Sequence, residues 1–239
     1  MSPLMFLFLA CNPDPGELDQ TVGYRDGSDD GPTSGERGSV KISEILWSGS
    51  VTNDGTHDSS DVFIEIRNES ARPIRITDWQ LTVSGAREQT YLIPDPVDES
   101  GLEDGFIEVG QHVFIATKTT GCFPAPHFLI PELELPYGDG FRLTLRDADE
   151  RLIEPVGSED APTFAGGYDY VRSRSMERVE LMFGGAGSEP SSWHYYTPAE
   201  VDVPNNTFVA EGCQDNTLAS PGLPNSPDYS GAYSTGSFE

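Results

Sequence analysis

Histidines and carboxylates are the side chains of this chain that could do acid–base or metal chemistry. The four histidines are His57, His112, His127 and His194. None stands in an H-E-x-x-H frame, where two imidazoles four residues apart would meet a zinc ion from one helical face. No C-x-x-C, no G-x-S-x-G and no phosphate loop occurs either. With 40 acidic residues in the chain, carboxylates close in sequence arise by coincidence and single out no acid–base pair. Two weaker constellations remain. The loop Asn53-Asp54-Gly55-Thr56-His57-Asp58-Ser59-Ser60-Asp61 offers oxygen ligands of the hard kind that calcium takes, the plainer reading being a solvated loop. Arg172, Arg174 and Arg178 form a basic cluster that could dock a phosphate or carboxylate, or simply offset neighbouring acids. The expectation is no catalytic, cofactor-binding or metal residue, no cofactor, and a protein that is not an enzyme.

The elements that must carry such residues are bounded by composition. The chain has 239 residues, enough for one generous domain or two small ones. Hydrophobic residues make up 36%, with 25 Gly and 19 Pro, so turns are many and part of the chain must stay outside any core. The net charge of −26 repels phosphate backbones and anionic headgroups, which argues against nucleic acid as a partner.

Residues 4–10, Leu-Met-Phe-Leu-Phe-Leu-Ala, are unbroken apolar sequence. That is far short of the roughly 20 residues a membrane-spanning helix needs and fits the short core of an export signal. Phe8-Leu9-Ala10-Cys11 resembles a bacterial lipobox, which implies a signal peptide over 1–10 and a Cys11 that is acylated and becomes the mature N-terminus. Phe8 stands where Leu is usual, and no Lys or Arg precedes the apolar run, which leaves room for a start upstream. Residues 11–37 are polar and acidic with almost nothing to bury, and are expected to be a disordered tether. Within them, an EF-hand counted from Asp26 fails because its twelfth position is Arg37.

From Val40 onward, apolar residues alternate with polar ones or come in short runs broken by turn residues. The pattern predicts strands over 40–47, 62–67, 74–83, 91–93, 112–116, 141–146, 151–156, 176–183 and 193–196. Val62, Ile64 and Ile66 share one face against Glu65 and Arg67, and Phe141, Leu143 and Leu145 share one against Arg142, Thr144 and Arg146. Asp147 to Glu150 between two such runs reads as a hairpin turn. No convincing amphipathic helix is found, so the expected class is all-β, a sandwich or barrel.

Several of these runs are similar to motifs of the lamin-tail domain family. Ile42-Ser43-Glu44-Ile45 resembles the I-x-E-I core of the family's first strand. Asp61-Val62-Phe63-Ile64-Glu65-Ile66-Arg67-Asn68 resembles its second. Ile74 to Leu81 resembles the strand carrying the family tryptophan, here Trp79, with Asp78 in place of the usual Gly. Phe141 to Glu150 resembles the late hairpin, with Glu150 where Gly is preferred. Ser175-Met176-Glu177-Arg178, Trp193 and Ser220-Pro221-Gly222-Leu223-Pro224-Asn225 complete the series in order. The resemblance covers about 38–226 and implies an immunoglobulin-like β-sandwich, followed by a flexible tail over 227–239.

If Cys11 carries lipid, Cys122 and Cys213 remain as a pair for an oxidising compartment, the alternative being two free thiols. The functional expectation is a non-enzymatic cell-envelope lipoprotein, exported and lipid-anchored, at a bacterial outer membrane or surface. Its partners would be the membrane, through the anchor, and an unknown protein or polysaccharide. A calcium-stabilised adhesion module and a metal-dependent hydrolase accessory are the competing readings.

Overall fold

The computed structural model describes residues 36–98, 100–102, 105–179, 185–197 and 208–227. The proposed signal, Cys11, almost all of the tether and all but the first residue of the tail therefore lie outside the described residues. Within them the chain is β-structure joined by turns, with no α-helix.

Alternation of apolar side chains builds two sheets. One has six strands in the order Phe128–Leu129, His112–Ala116, Phe63–Asn68, Val40–Leu46, Met176–Arg178, Trp193–Tyr195. The other has four, in the order Leu152–Gly157, Arg142–Arg146, Gln80–Ser84, Gln89–Leu92. Ile64, Ile66 and Val113 of the first sheet and Leu81, Leu143 and Val156 of the second belong to one buried cluster, with Trp79 fully buried among them. The protein is thus an all-β sandwich, as the period-two pattern predicts. A small third sheet joins Gly167–Tyr168, Ser173–Arg174 and Thr217–Leu218, the last two running parallel. Two short ribbons pair Ser50–Val51 with His57–Asp58 and Ile74–Arg75 with Phe106–Ile107.

The expected strand over 74–83 is two strands, because Asp78 between them turns the chain at φ +65°. The hairpin turn at 147–150 is held by the buried Asp147, whose Oδ1 accepts the Asp149 and Arg151 amides at 3.0 and 2.8 Å. Glu150 completes it at φ +62°. The left-handed region suits glycine, and Asp78 and Glu150 are the two positions where the resemblance calls for Gly. The strand expected over 176–183 ends at Arg178, and residues 180–184 are outside the described set.

A bulge decides which face the first strand offers to what. Ile42 opposes Ile66 and Glu44 opposes Glu65, so Ser43 is the extra residue. Beyond such an insertion the alternation restarts. Ile42 and Ile45 both reach the inter-sheet core, while the Ser43 hydroxyl meets Glu65 at 2.6 Å.

Candidate functional site

Three glutamates that read as parts of separate strand motifs come together on the outer face of the six-stranded sheet. Glu44, Glu65 and Glu177 lie on neighbouring strands and are completely buried. His112 Nδ1 sits 2.7 Å from Glu65 at one end of the row, and His194 opposes Glu177 at the other, 3.9 Å from its carboxylate. The closing segment covers the row. The Ser220 amide donates to Glu44 at 2.9 Å, the Gly222 amide to Glu65 at 2.7 Å and the Ser226 amide to Glu177 at 3.0 Å. Asn225 Nδ2 reaches the Ser43 and Arg178 carbonyls at 2.9 and 2.8 Å. The carboxylates therefore act as acceptors that hold irregular chain against a sheet, supplying partners its buried amides would otherwise lack.

The proton count along this row is informative. The Ser220 hydroxyl lies 2.7 Å from Glu177 and 3.1 Å from Glu44 but has one hydrogen to give. A protonated Glu44 donating to Ser220, which donates to Glu177, satisfies all three. Burial first, then the charges of Glu177 and Glu65, push the Glu44 carboxyl well above its usual range. Burial raises Glu177 too, opposed by the Ser226 and Ser220 hydrogen bonds and by His194. Beside them the Tyr196 phenol is pushed up to about 12, by burial and then by Glu177 and Glu44. A carboxyl raised on folding stabilises fully below its unfolded value, about 4.3, and that stability is lost as pH rises through the folded value. Melting temperature should therefore fall more steeply with rising pH in the native protein than in Glu44→Gln, which keeps the neutral form. Parallel curves for the two would place the proton elsewhere.

The other residues singled out in the sequence do not converge. In the 53–61 loop, Asp54 accepts from Thr52 and Thr56, Asp58 pairs with Lys118 at 2.6 Å, and Asp61 takes the Ser50 hydroxyl and the Cys122 amide. Each carboxylate is engaged in its own direction. Arg178 is buried against Glu154 at 2.8 Å and over the Trp193 ring, whereas Arg172 is exposed. His127 Nδ1 accepts the Phe114 amide, and His57 is held by the Ser48 carbonyl and the Tyr168 ring. Among the described residues, no group of three or more His, Cys, Asp or Glu is arranged to hold a metal ion. Cys122 and Cys213 are joined in a disulfide with Cα atoms 5.7 Å apart. The bridge sits in a second small core with Leu46, Phe63, Phe114 and Phe123.

The sequence reading missed one surface feature. Five rings from four segments of the chain form a continuous run. Trp47 and Tyr137 have centroids 6.3 Å apart, Tyr137 and His57 6.0 Å, His57 and Tyr168 4.0 Å, and Tyr168 and Tyr170 5.7 Å. Tyr137 is 52% exposed and Tyr170 87%. The rings are fixed from below. Trp47 Nε1 donates to the Ala165 carbonyl at 2.9 Å, and Gly167 lies against the indole at φ +124°, a backbone conformation that disfavours any side chain there. His57 Nε2 donates to the Ser48 carbonyl at 2.7 Å and its ring stacks on Tyr168 at 13°. The Ser48 and Ser173 hydroxyls, 2.8 Å apart, tie the ribbon to the hairpin that carries Tyr168 and Tyr170. Tyr170 itself turns that hairpin at φ +71°. A bulky side chain there costs about 1–2 kcal/mol. The signal in the sequence was slight, a Tyr168-Asp169-Tyr170 turn with no partner visible nearby.

Comparison of the sequence with known protein families and with curated proteins finds no match in either.

Proposed function

We propose that this chain is a non-enzymatic cell-envelope lipoprotein, in which acyl chains on Cys11 hold an immunoglobulin-like, lamin-tail-like sandwich at a membrane for binding or structural interaction. The observation that carries this reading is the cysteine pairing. The Cys122–Cys213 bridge takes two of the three cysteines and suits an oxidising, exported setting. The third cysteine, Cys11, stands in the sequence directly after the apolar run.

Two further features support the lamin-tail likeness. The glutamates of the I-x-E-I, F-I-E-I and S-x-E-R motifs meet beneath the S-P-G-x-x-N segment, which gives motifs far apart in sequence one shared structural task. Asp78 and Glu150 take the left-handed conformation that the family's glycines would take.

Seven apolar residues cannot hold a protein in a bilayer, whereas acyl chains contribute about 0.8 kcal/mol per buried methylene group. The strongly acidic surface gains nothing from anionic lipid. Cys11→Ser should leave the domain folded, move it from the detergent to the aqueous phase in Triton X-114 partitioning, and abolish labelling by palmitate. A native protein that partitions into the aqueous phase without acyl mass would end this reading.

A further inference from the structure

We propose that the aromatic run is a carbohydrate-binding surface, on which Tyr137 and Tyr170 stack against the C–H faces of sugar rings in a polysaccharide that carries no anionic groups. The inference rests on the reading of the chain as a binding module and names that module's site and ligand class.

Shape, rim and charge each carry part of the argument. Exposed aromatic surface in a monomer marks a place of contact, because these rings bury well and are otherwise covered. Of these rings only Tyr137 and Tyr170 are more than half exposed, and Trp47, His57 and Tyr168 are half-buried. So small an apolar area suits a slender polymer better than a globular partner, whose interfaces are wide with a dry centre. Asp139, Asp169 and Arg172, all exposed, stand within two residues of Tyr137 or Tyr170. Sugars present the two matching features, apolar C–H faces for the rings and hydroxyls for carboxylates and guanidinium. The net charge of −26 repels nucleic acid and uronate- or phosphate-rich polymers, which leaves neutral and amino-sugar chains.

The rings are also pre-set for a ligand. Trp47 and His57 are locked by hydrogen bonds to backbone carbonyls. Asp169 Oδ1 accepts the Val171 and Arg172 amides at 3.0 and 2.7 Å, which holds the hairpin tip that presents Tyr170. A rigid, strained tip loses little freedom on binding. Tyr170→Ala touches no core contact, since the side chain is 87% exposed.

Native affinity electrophoresis of the full-length protein in mild detergent tests this, in gels containing hydroxyethylcellulose, xylan, glucomannan, laminarin, glycol chitin or polygalacturonate. The native protein should be retarded by at least one of the first five and run freely in polygalacturonate. Tyr137→Ala/Tyr170→Ala should weaken that retardation roughly ten-fold or more, as loss of central aromatic contacts does, with melting temperature unchanged. Tyr170→Phe should keep most of it, and Val109→Ala, which removes an exposed residue near the end of the six-stranded sheet opposite Trp47, should keep all of it. Free migration through every gel overturns the proposal, as does retardation that the double variant retains, or a preference for polygalacturonate. Triton X-114 partitioning of the same samples reads anchoring separately, so a lost anchor and a lost sugar site give different results.

Discussion

Trp79→Ala is expected to destabilise the sandwich by about 3–5 kcal/mol, the range for truncating a large aromatic in a packed core. Trp79 has no exposed surface and belongs to the cluster between the sheets. Its backbone is fixed on both sides, with its amide donating to Ile76 at 3.1 Å and its carbonyl accepting the Ile93 amide at 2.8 Å. The surroundings are therefore poorly placed to collapse into the space the indole leaves, which puts the cost toward the upper end. For a domain of this size each kcal/mol moves the midpoint by roughly 2–4 °C, so a fall on the order of 6–20 °C should appear in a thermal melt. The protein that stays folded should keep whatever it binds through Tyr137 and Tyr170, because Trp79 lies in the interior and they lie on the surface. An unchanged melting temperature would show that the indole is not a core element.

How far this architecture could be read from sequence follows from the range of the forces involved. The strands at Val40–Leu46, Phe63–Asn68, His112–Ala116 and Arg142–Arg146 were legible because burial of one face imposes a period of two on neighbouring residues. Gln80–Ser84 was merged with Ile74–Arg75 because Asp78 is an ordinary turn residue whose positive φ no local pattern announces. Two-residue strands such as Ser173–Arg174 have no period to show and exist only through their partners, here Thr217–Leu218.

The sites fared differently for the same reason. Glu44, Glu65 and Glu177 were each visible as motif letters, but their common task depends on strand order, which places separations of 21 and 133 residues side by side. Among 40 acidic residues nothing marked these three. The aromatic run was less legible still, since residues 47, 57, 137, 168 and 170 meet only when the ribbon, the third sheet and a loop are in place. The cysteines were easier, because a bridge needs a partner and few candidates existed.

Removing the Cys122–Cys213 bridge should have an effect as large as any core substitution. The half-cystines are 91 residues apart, and in the chain-entropy model a loop of that size releases about 4–5 kcal/mol of unfolded-state freedom when cut. The native state loses something more specific. Cys122 is pinned to the sheet by its amide donating to Asp61 at 2.8 Å, and its carbonyl accepts the Ala210 amide at 2.7 Å. Cys213 stands at the end of the Glu211–Cys213 turn, just ahead of Thr217–Leu218 and the Ser220–Ser226 stretch that caps the three glutamates. The bridge therefore fixes where the cap begins, and three buried carboxylates depend on where it ends. With Cys122→Ser/Cys213→Ser, or after reduction, amide exchange should rise first over 209–226 while Phe63–Asn68 stays protected, and the denaturation midpoint should fall by an amount matching the loop entropy. The loss should shrink as pH rises, because a loosened cap lets water reach Glu44 and relieves the cost of ionising it, which the oxidised protein bears in full. Equal exchange in oxidised and reduced protein would mean that the carboxylates hold the segment unaided.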